Sequence, residues 1–161
     1  MSLKGKYWFL ALFLLITASC GFQPIYKIGN ETKQLLEFNL NFHNEPSYET
    51  KNTIKNAFMG SEAMALYSVN LNVIENQSPL IINSNGTVSK YRVEVMIDFK
   101  VHESSSGNKI YSDVSRGFSE YLVQASEIQT NEKYKQANEI AAHEAVQMMS
   151  TKIQSNILQS Q

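Results

Sequence analysis

The chain has one cysteine in 161 residues, three prolines, one tryptophan, and no acidic residue before Glu31. A single thiol makes no intramolecular disulfide, so burial must carry the stability of any domain built from it. The histidines are His43, His102 and His143, and no two share the spacing of a metal-ligand pair. His143-Glu144 starts like a zinc-protease helix, but Gln147 occupies the place of the second histidine. There is no glycine-rich phosphate loop and no nucleophile elbow. The only aspartates are Asp98 and Asp113, and Asp98 falls on the polar face of a strand, where a carboxylate is solvated. Clustered Lys and Arg are missing too, which excludes nucleic acid as a partner. These absences describe a protein that is not an enzyme and holds no metal and no dissociable cofactor.

A run of about 20 apolar residues, enough to span a membrane, is also lacking. The continuous apolar run is Tyr7 to Ile16, preceded by Lys4 and Lys6 and followed by Thr17, Ala18 and Ser19. Basic, apolar, then small is the layout of a secretory signal peptide over residues 1–19. Its removal from the 161 residues leaves 142, enough for one domain with a self-sufficient core. Two of the 14 basic residues leave with it, so 12 remain against 15 acidic ones and the net charge is −3.

Three readings of Cys20 compete. A buried cysteine acts as a small hydrophobe, but Cys20 lies outside any periodic segment. A catalytic thiolate needs a nearby base or cation, and the nearest histidine in sequence is His43. The third reading is lipidation, because TASC, Thr17 to Cys20, resembles the lipobox of bacterial lipoproteins, with Thr17 in the place of the usual leucine. A diacylglycerol thioether and an N-acyl chain on Cys20 would then anchor a soluble chain, since two or more acyl chains hold stably where one does not. Gly21 stands where an aspartate would resemble the inner-membrane retention signal, so the resemblance implies the periplasmic face of the outer membrane.

Residues 20–36 read as a tether and 37–161 as a single domain. Phe38, Leu40 and Phe42 alternate with Asn39 and Asn41, giving a short strand that His43-Asn44-Glu45-Pro46 ends. Ser47 caps a helix starting near Tyr48, with Ile54, Ala57 and Phe58 on one face and Gly60 as its stop. Tyr67 to Val73 alternates as a second strand, and Asn76 to Asn85, with Pro79 and the unexpectedly apolar Leu80-Ile81-Ile82, reads as a loop. Asn85-Gly86 is a hairpin turn. Val93, Val95, Ile97, Phe99 and Val101 then alternate with Arg92, Glu94, Met96, Asp98, Lys100 and His102 in the clearest strand of the chain. Ser104 to Asn108 is a turn, and Lys109 to Val123 a fourth strand. Its Ile110, Val114, Phe118 and Leu122 face one way, interrupted by Ser112, Arg116 and Glu120, and Gly117 marks a bulge that resets the alternation.

A long helix from about Asn131 to Leu158 closes the chain, with Ala137, Ile140, Ala141, Ala145, Met148, Met149, Ile153 and Ile157 as its apolar stripe. Ser126 and Gln129 have capping-box spacing, which allows an earlier start. Asn30, Asn76 and Asn85 head Asn-x-Ser/Thr triplets, a chance outcome in so asparagine-rich a chain. The order β-α-β-β-β-α gives an α+β fold: a four-stranded, largely antiparallel sheet with two helices on one face. Its other face is left to water or a partner.

CGFQPIY, Cys20 to Tyr26, resembles the mature start of the LPS-assembly lipoprotein LptE family, with Ile25 for the usual leucine. YRVEVMIDFKVHESSSGNKIYSD is similar to that family's long hairpin. EYLVQASEIQTNEKYKQANEIAAHEA is similar to the end of its last strand and its alanine-bearing C-terminal helix, although Lys135 follows Tyr134 where the family has alanine. The resemblance implies a non-enzymatic outer-membrane subunit that sits in the lumen of the LptD β-barrel, supports its assembly and contacts lipopolysaccharide. Contact with acidic phosphates needs cations, and Lys90, Arg92, Lys100 and Arg116 are the candidates on the sheet. An unrelated periplasmic lipoprotein, a pilotin or a structural module, would use the same layers.

Overall fold

A computed structural model describes residues 38–58 and 65–159, so the leader, Cys20, the tether and Gly60 lie outside the described residues. Among the described residues the order is β1 (Phe38–Phe42), α1 (Tyr48–Ala57), β2 (Tyr67–Ile82), β3 (Val88–Glu103), β4 (Lys109–Leu122) and α2 (Glu127–Gln159). The strands form one sheet in the order β1-β2-β3-β4. β1 runs parallel to β2, as a crossover helix requires, and the other two pairings are antiparallel.

Strand alternation and turn chemistry fix the hairpins. The β2–β3 turn closes through Asn83 N–H to Thr87 C=O at 2.8 Å. Gly86 there sits at φ +82°, and Asn85 Oδ1 accepts from Thr87 N–H. The β3–β4 turn has Gly107 at φ +69°. Ser47 caps α1 as the sequence predicts, its hydroxyl accepting from Thr50 N–H. β1 ends at Phe42, but the Asn44 side chain continues its work: Oδ1 accepts from Val73 N–H and Nδ2 donates to Val73 C=O.

The core lies between the sheet and its two helices. Val69, Leu71 and Val73 of β2, and Val93, Val95, Ile97, Phe99 and Val101 of β3, meet Ile54 of α1 and Ala141, Ala145, Met149, Ile153 and Ile157 of α2. Full burial of each Val, Leu, Ile or Phe here stabilises the fold by about 1.5–3 kcal/mol.

Several expectations from the sequence are corrected. The Asn76–Asn85 loop is instead the upper half of β2, which pairs with β3 as far as Ile82↔Val88. Pro79 is tolerated because β1 covers β2 only from Tyr67 to Leu71, so Pro79 lies on an edge, and a register shift follows it. Gly117 is not a bulge: it pairs with Val95 in an unbroken register from Lys90↔Leu122 to Val101↔Tyr111. A Cβ on Gly117 would lie 2.0 Å from Ala141 O and 2.7 Å from Ala145 N, so the glycine exists to let the α2 backbone touch the sheet.

That close approach sets the rotation of α2. Its buried stripe includes Ala142 and Val146, whereas Ile140 and Met148 are 59% and 42% exposed. On α1, Ile54 and Phe58 are buried but Ala57 is exposed. Helix α2 starts at Glu127, at the early position that the Ser126–Gln129 spacing allows, and Thr130 Oγ1 binds Ser126 C=O at 3.0 Å.

One polar knot joins three elements inside this layer. Glu75 of β2 accepts from the N–H and hydroxyl of Ser47 (2.9 and 2.6 Å), from the Thr50 hydroxyl, and from Nδ2 of the buried Asn138 at 2.9 Å. Burial alone would raise the Glu75 pKa; the hydrogen bonds from Asn138, Ser47 and Thr50 outweigh it and hold the carboxyl below its usual range.

Candidate functional site

The sheet face opposite the helices is built from the even-numbered residues of β2, β3 and β4, and the register places them in rows. Asn70, Lys100 and Ser112 form one row, Asn72, Asp98 and Val114 the next, then Ile74, Met96 and Arg116. Asn76, Glu94 and Phe118 follow, then Ser78, Arg92 and Glu120. The β1–β2 side is amide and hydroxyl, with Asn41 Nδ2 donating to Asn70 Oδ1 at 3.2 Å. The β3 column is charged. The β4 column is apolar at every second outward residue: Ile110, Val114, Phe118 and Leu122 are 40%, 37%, 45% and 56% exposed. These four do face one way, but away from the helices. The inward face of β4 is Tyr111, Asp113, Ser115, Gly117, Ser119 and Tyr121 instead.

All four cations expected to contact lipopolysaccharide stand on this outer face, in different electrostatic states. Lys90 and Arg92 share the Glu120 carboxylate, Arg92 Nη2 at 3.2 Å. The hydrogen bond from Lys90, then that from Arg92, holds the Glu120 carboxyl below its usual range. Arg116 Nε lies 3.9 Å from Glu94 Oε1. Lys100 has no ion pair among the described residues, and its neighbours along the row are the neutral Asn70 and Ser112. An anion meets less competition at Lys100 than at the other three.

The apolar column runs on to the hairpin end of the sheet. Leu80, Ile81 and Ile82 of β2 are exposed there, Ile82 to 62%, with Leu122 and Val123 at the end of β4 and Ile128 at the start of α2. The apolar segment that reads as a loop in the sequence is therefore strand, and it is not covered by its own core. Sequence reasoning missed this tip because Pro79 and the asparagines masked the strand. It also missed the Glu75–Asn138 knot, for which an asparagine inside the α2 stripe was the available signal.

The β4 edge and the upper edge of β2, beyond the reach of β1, are treated differently. On β4, Val114 C=O accepts from Lys152 Nζ at 2.7 Å and Phe118 N–H donates to Glu144 Oε2 at 2.8 Å, both reaching across from α2. Lys152 also pairs with Asp113 at 2.8 Å. The hydrogen bond from Lys152, with those from Val114 N–H and Tyr111, lowers the Asp113 pKa to about 2. No comparable side chain among the described residues covers the outward backbone of β2 above Val73. Among the described residues, no three His, Cys, Asp or Glu side chains converge on a metal-sized site, and no helix is long and apolar enough to cross a membrane.

No family model matches the chain, and no curated protein matches it. Solved structures do match. A lipoprotein from Caulobacter crescentus superposes with a TM-score of 0.63 at 11% identity, covering 79% of this chain and 94% of the other. The rare lipoprotein B from Shewanella oneidensis gives 0.52 at 14% identity, over 74% and 97% of the two chains. A minor lipoprotein from Acinetobacter baumannii gives 0.55 at 13%, over 76% and 92%. At these identities the likeness establishes a shared fold.

Proposed function

We propose that this chain is a bacterial outer-membrane lipoprotein of the LptE kind, anchored through Cys20, which fills and supports the assembly of an LptD-like β-barrel and contacts lipopolysaccharide there. One observation carries the reading: a helix-backed domain, in a fold shared with bacterial lipoproteins, bears a bare sheet face of amides and charges edged by an apolar column. A large barrel has a polar lumen, and a surface of asparagine, serine and paired charges suits it. The apolar column and tip then meet less polar parts of the same partner. Acyl chains on Cys20 concentrate the domain at the barrel mouth, which raises its effective concentration without any new contact. The chain acts as a structural subunit and uses no cofactor besides that covalent lipid.

The test is purification from detergent-solubilised outer membrane after labelling with palmitate. The proposal expects label on the chain, its loss in Cys20→Ala, and a large outer-membrane barrel co-purifying in constant ratio. Label without a barrel would instead assign the chain to a pilotin or another interaction module of the envelope. For lipopolysaccharide, Lys100→Glu should weaken binding to purified lipopolysaccharide at least about threefold, about 0.7 kcal/mol or more, within the range of charge-assisted contacts. Arg92→Glu should do less, because Arg92 is already engaged by Glu120.

A further inference from the structure

The inward face of upper β2 borders a groove of about 570 Å³, and its backbone faces an open edge. The groove is lined by Gln77 of β2, Tyr121 of β4, and Glu127, Ile128, Asn131 and Tyr134 of the first turns of α2. Its floor is aromatic. Tyr91 stacks on Tyr121 with centroids 5.5 Å apart, and Tyr134 meets Tyr121 edge-on at 5.9 Å. Gln77 Nε2 donates to the Tyr121 hydroxyl across it.

The edge is defined by the ladder. Leu71 C=O accepts from His43 N–H, and Val73 bonds Asn44 with both backbone groups, so the odd residues of β2 point away from β3. By the same alternation the N–H and C=O of Glu75 and Gln77 point outward, and among the described residues they meet no partner. Pro79 presents only a carbonyl. An unpaired row of donors and acceptors beside a groove is how sheets add an extra strand, the backbone giving affinity and the alternate side chains giving choice.

The charges select the kind of strand. Glu127 is the charged side chain of the lining. Burial first, then the Glu75 and Glu49 carboxylates, raise the Tyr134 hydroxyl pKa, so the groove's end toward α1 is also negative. Lys133 is turned to Gln136 on the surface of α2. We propose that the upper edge of β2 takes an extended segment of a partner polypeptide, which pairs beside Glu75–Pro79, places an apolar or aromatic side chain over the tyrosines, and sets a basic one against Glu127. The proposal does not depend on the partner being a barrel.

The experiment titrates the full chain, purified in detergent, with a short acetylated peptide alternating lysine with valine and tyrosine. A second peptide carries glutamate in place of each lysine. Saturable binding of the lysine peptide is expected, with slowed amide hydrogen exchange at Gln77 and binding at least tenfold weaker for the glutamate peptide. Gln77→Pro removes the outward N–H together with the side chain that bonds Tyr121, and Gln77→Ala removes the side chain alone, so the proline variant should bind the lysine peptide about tenfold more weakly than the alanine variant, the worth of one good hydrogen bond. Glu127→Lys changes no backbone group and should narrow or reverse the preference between the peptides. Equal binding of both peptides, equal binding by Gln77→Pro and Gln77→Ala with wild-type melting curves, or protection confined to β4 would each overturn the proposal. So would sedimentation showing that the edge is filled by a second copy of this chain at the concentrations used.

Discussion

The lower and upper halves of the β2–β3 hairpin share one hydrogen-bonded ladder and differ in everything that covers it. In the lower half, Val69, Leu71 and Val73 face Ile97, Phe99 and Val101 across the pairing, β1 lies alongside, and both helices sit above; the inward residues are fully or almost fully buried. In the upper half β1 is gone, the first turns of α2 alone lie above among the described residues, and Leu80, Ile81 and Ile82 are exposed. A ladder therefore does not reveal which of its apolar residues hold the domain together. The lower ones, with Val93 and Val95 above them, stabilise the fold, and the exposed Leu80, Ile81 and Ile82 of the tip are surplus to it.

The sharpest way to break the comparison is to attack the cover of the lower sheet. Gly117→Val puts side-chain atoms into the Ala141 carbonyl and the Ala145 amide, so α2 must lift; a loss of at least about 3 kcal/mol is expected in urea unfolding. Next come paired truncations along β2. Leu71→Ala should cost about 2–5 kcal/mol, whereas Ile82→Ala should stay within about 0.5 kcal/mol and instead reduce co-purification of the barrel proposed above. Equal costs at the two sites would erase the distinction between the halves.

Asn138→Ala tests the knot at the boundary between them. It removes one donor from Glu75 and should cost about 1–3 kcal/mol at neutral pH. The sign of its pH effect follows from linkage. A carboxyl held below its ordinary 4.5 adds stability above that pH and loses it as pH falls, so the variant, with Glu75 moved back upward, should lose less of its remaining stability on acidification. The smallest effect belongs to Asp113. Its pKa of about 2, against an ordinary 3.8, means that its contribution is present above pH 3.8 and disappears as pH falls towards 2. Because the group is well solvated, Asp113→Asn should flatten the acid limb of the unfolding curve only slightly in that window.

What could be read from the sequence follows the same division. β1 and β3 were legible because β1 alternates throughout and β3 alternates from Arg92 to His102 with only Met96 breaking the polar face, and Ser47 announced α1. β4 was legible as a strand but its orientation was not: its inward face is Asp113, Ser115, Gly117 and Ser119 between two tyrosines, since the helix backbone fills the space that large side chains would otherwise occupy. For the same reason the α2 stripe was displaced, with Ile140 and Met148 exchanged for Ala142 and Val146; small residues do the packing where two backbones touch. Upper β2 was hidden because a proline on an uncovered edge reads the same as one in a loop. The four outer-face cations were found, but that three are engaged by Glu120 and Glu94 depends on strand register.

The side chains of Glu144 and Lys152 that bond the β4 edge have a consequence for copies of the chain crowded together. Cross-β polymers grow only from subunits with two adhesive borders, because every added unit must expose a fresh border for its successor. Here the β4 border has a carboxylate and an ammonium on two of its backbone groups, which works against the addition of a further strand along that side.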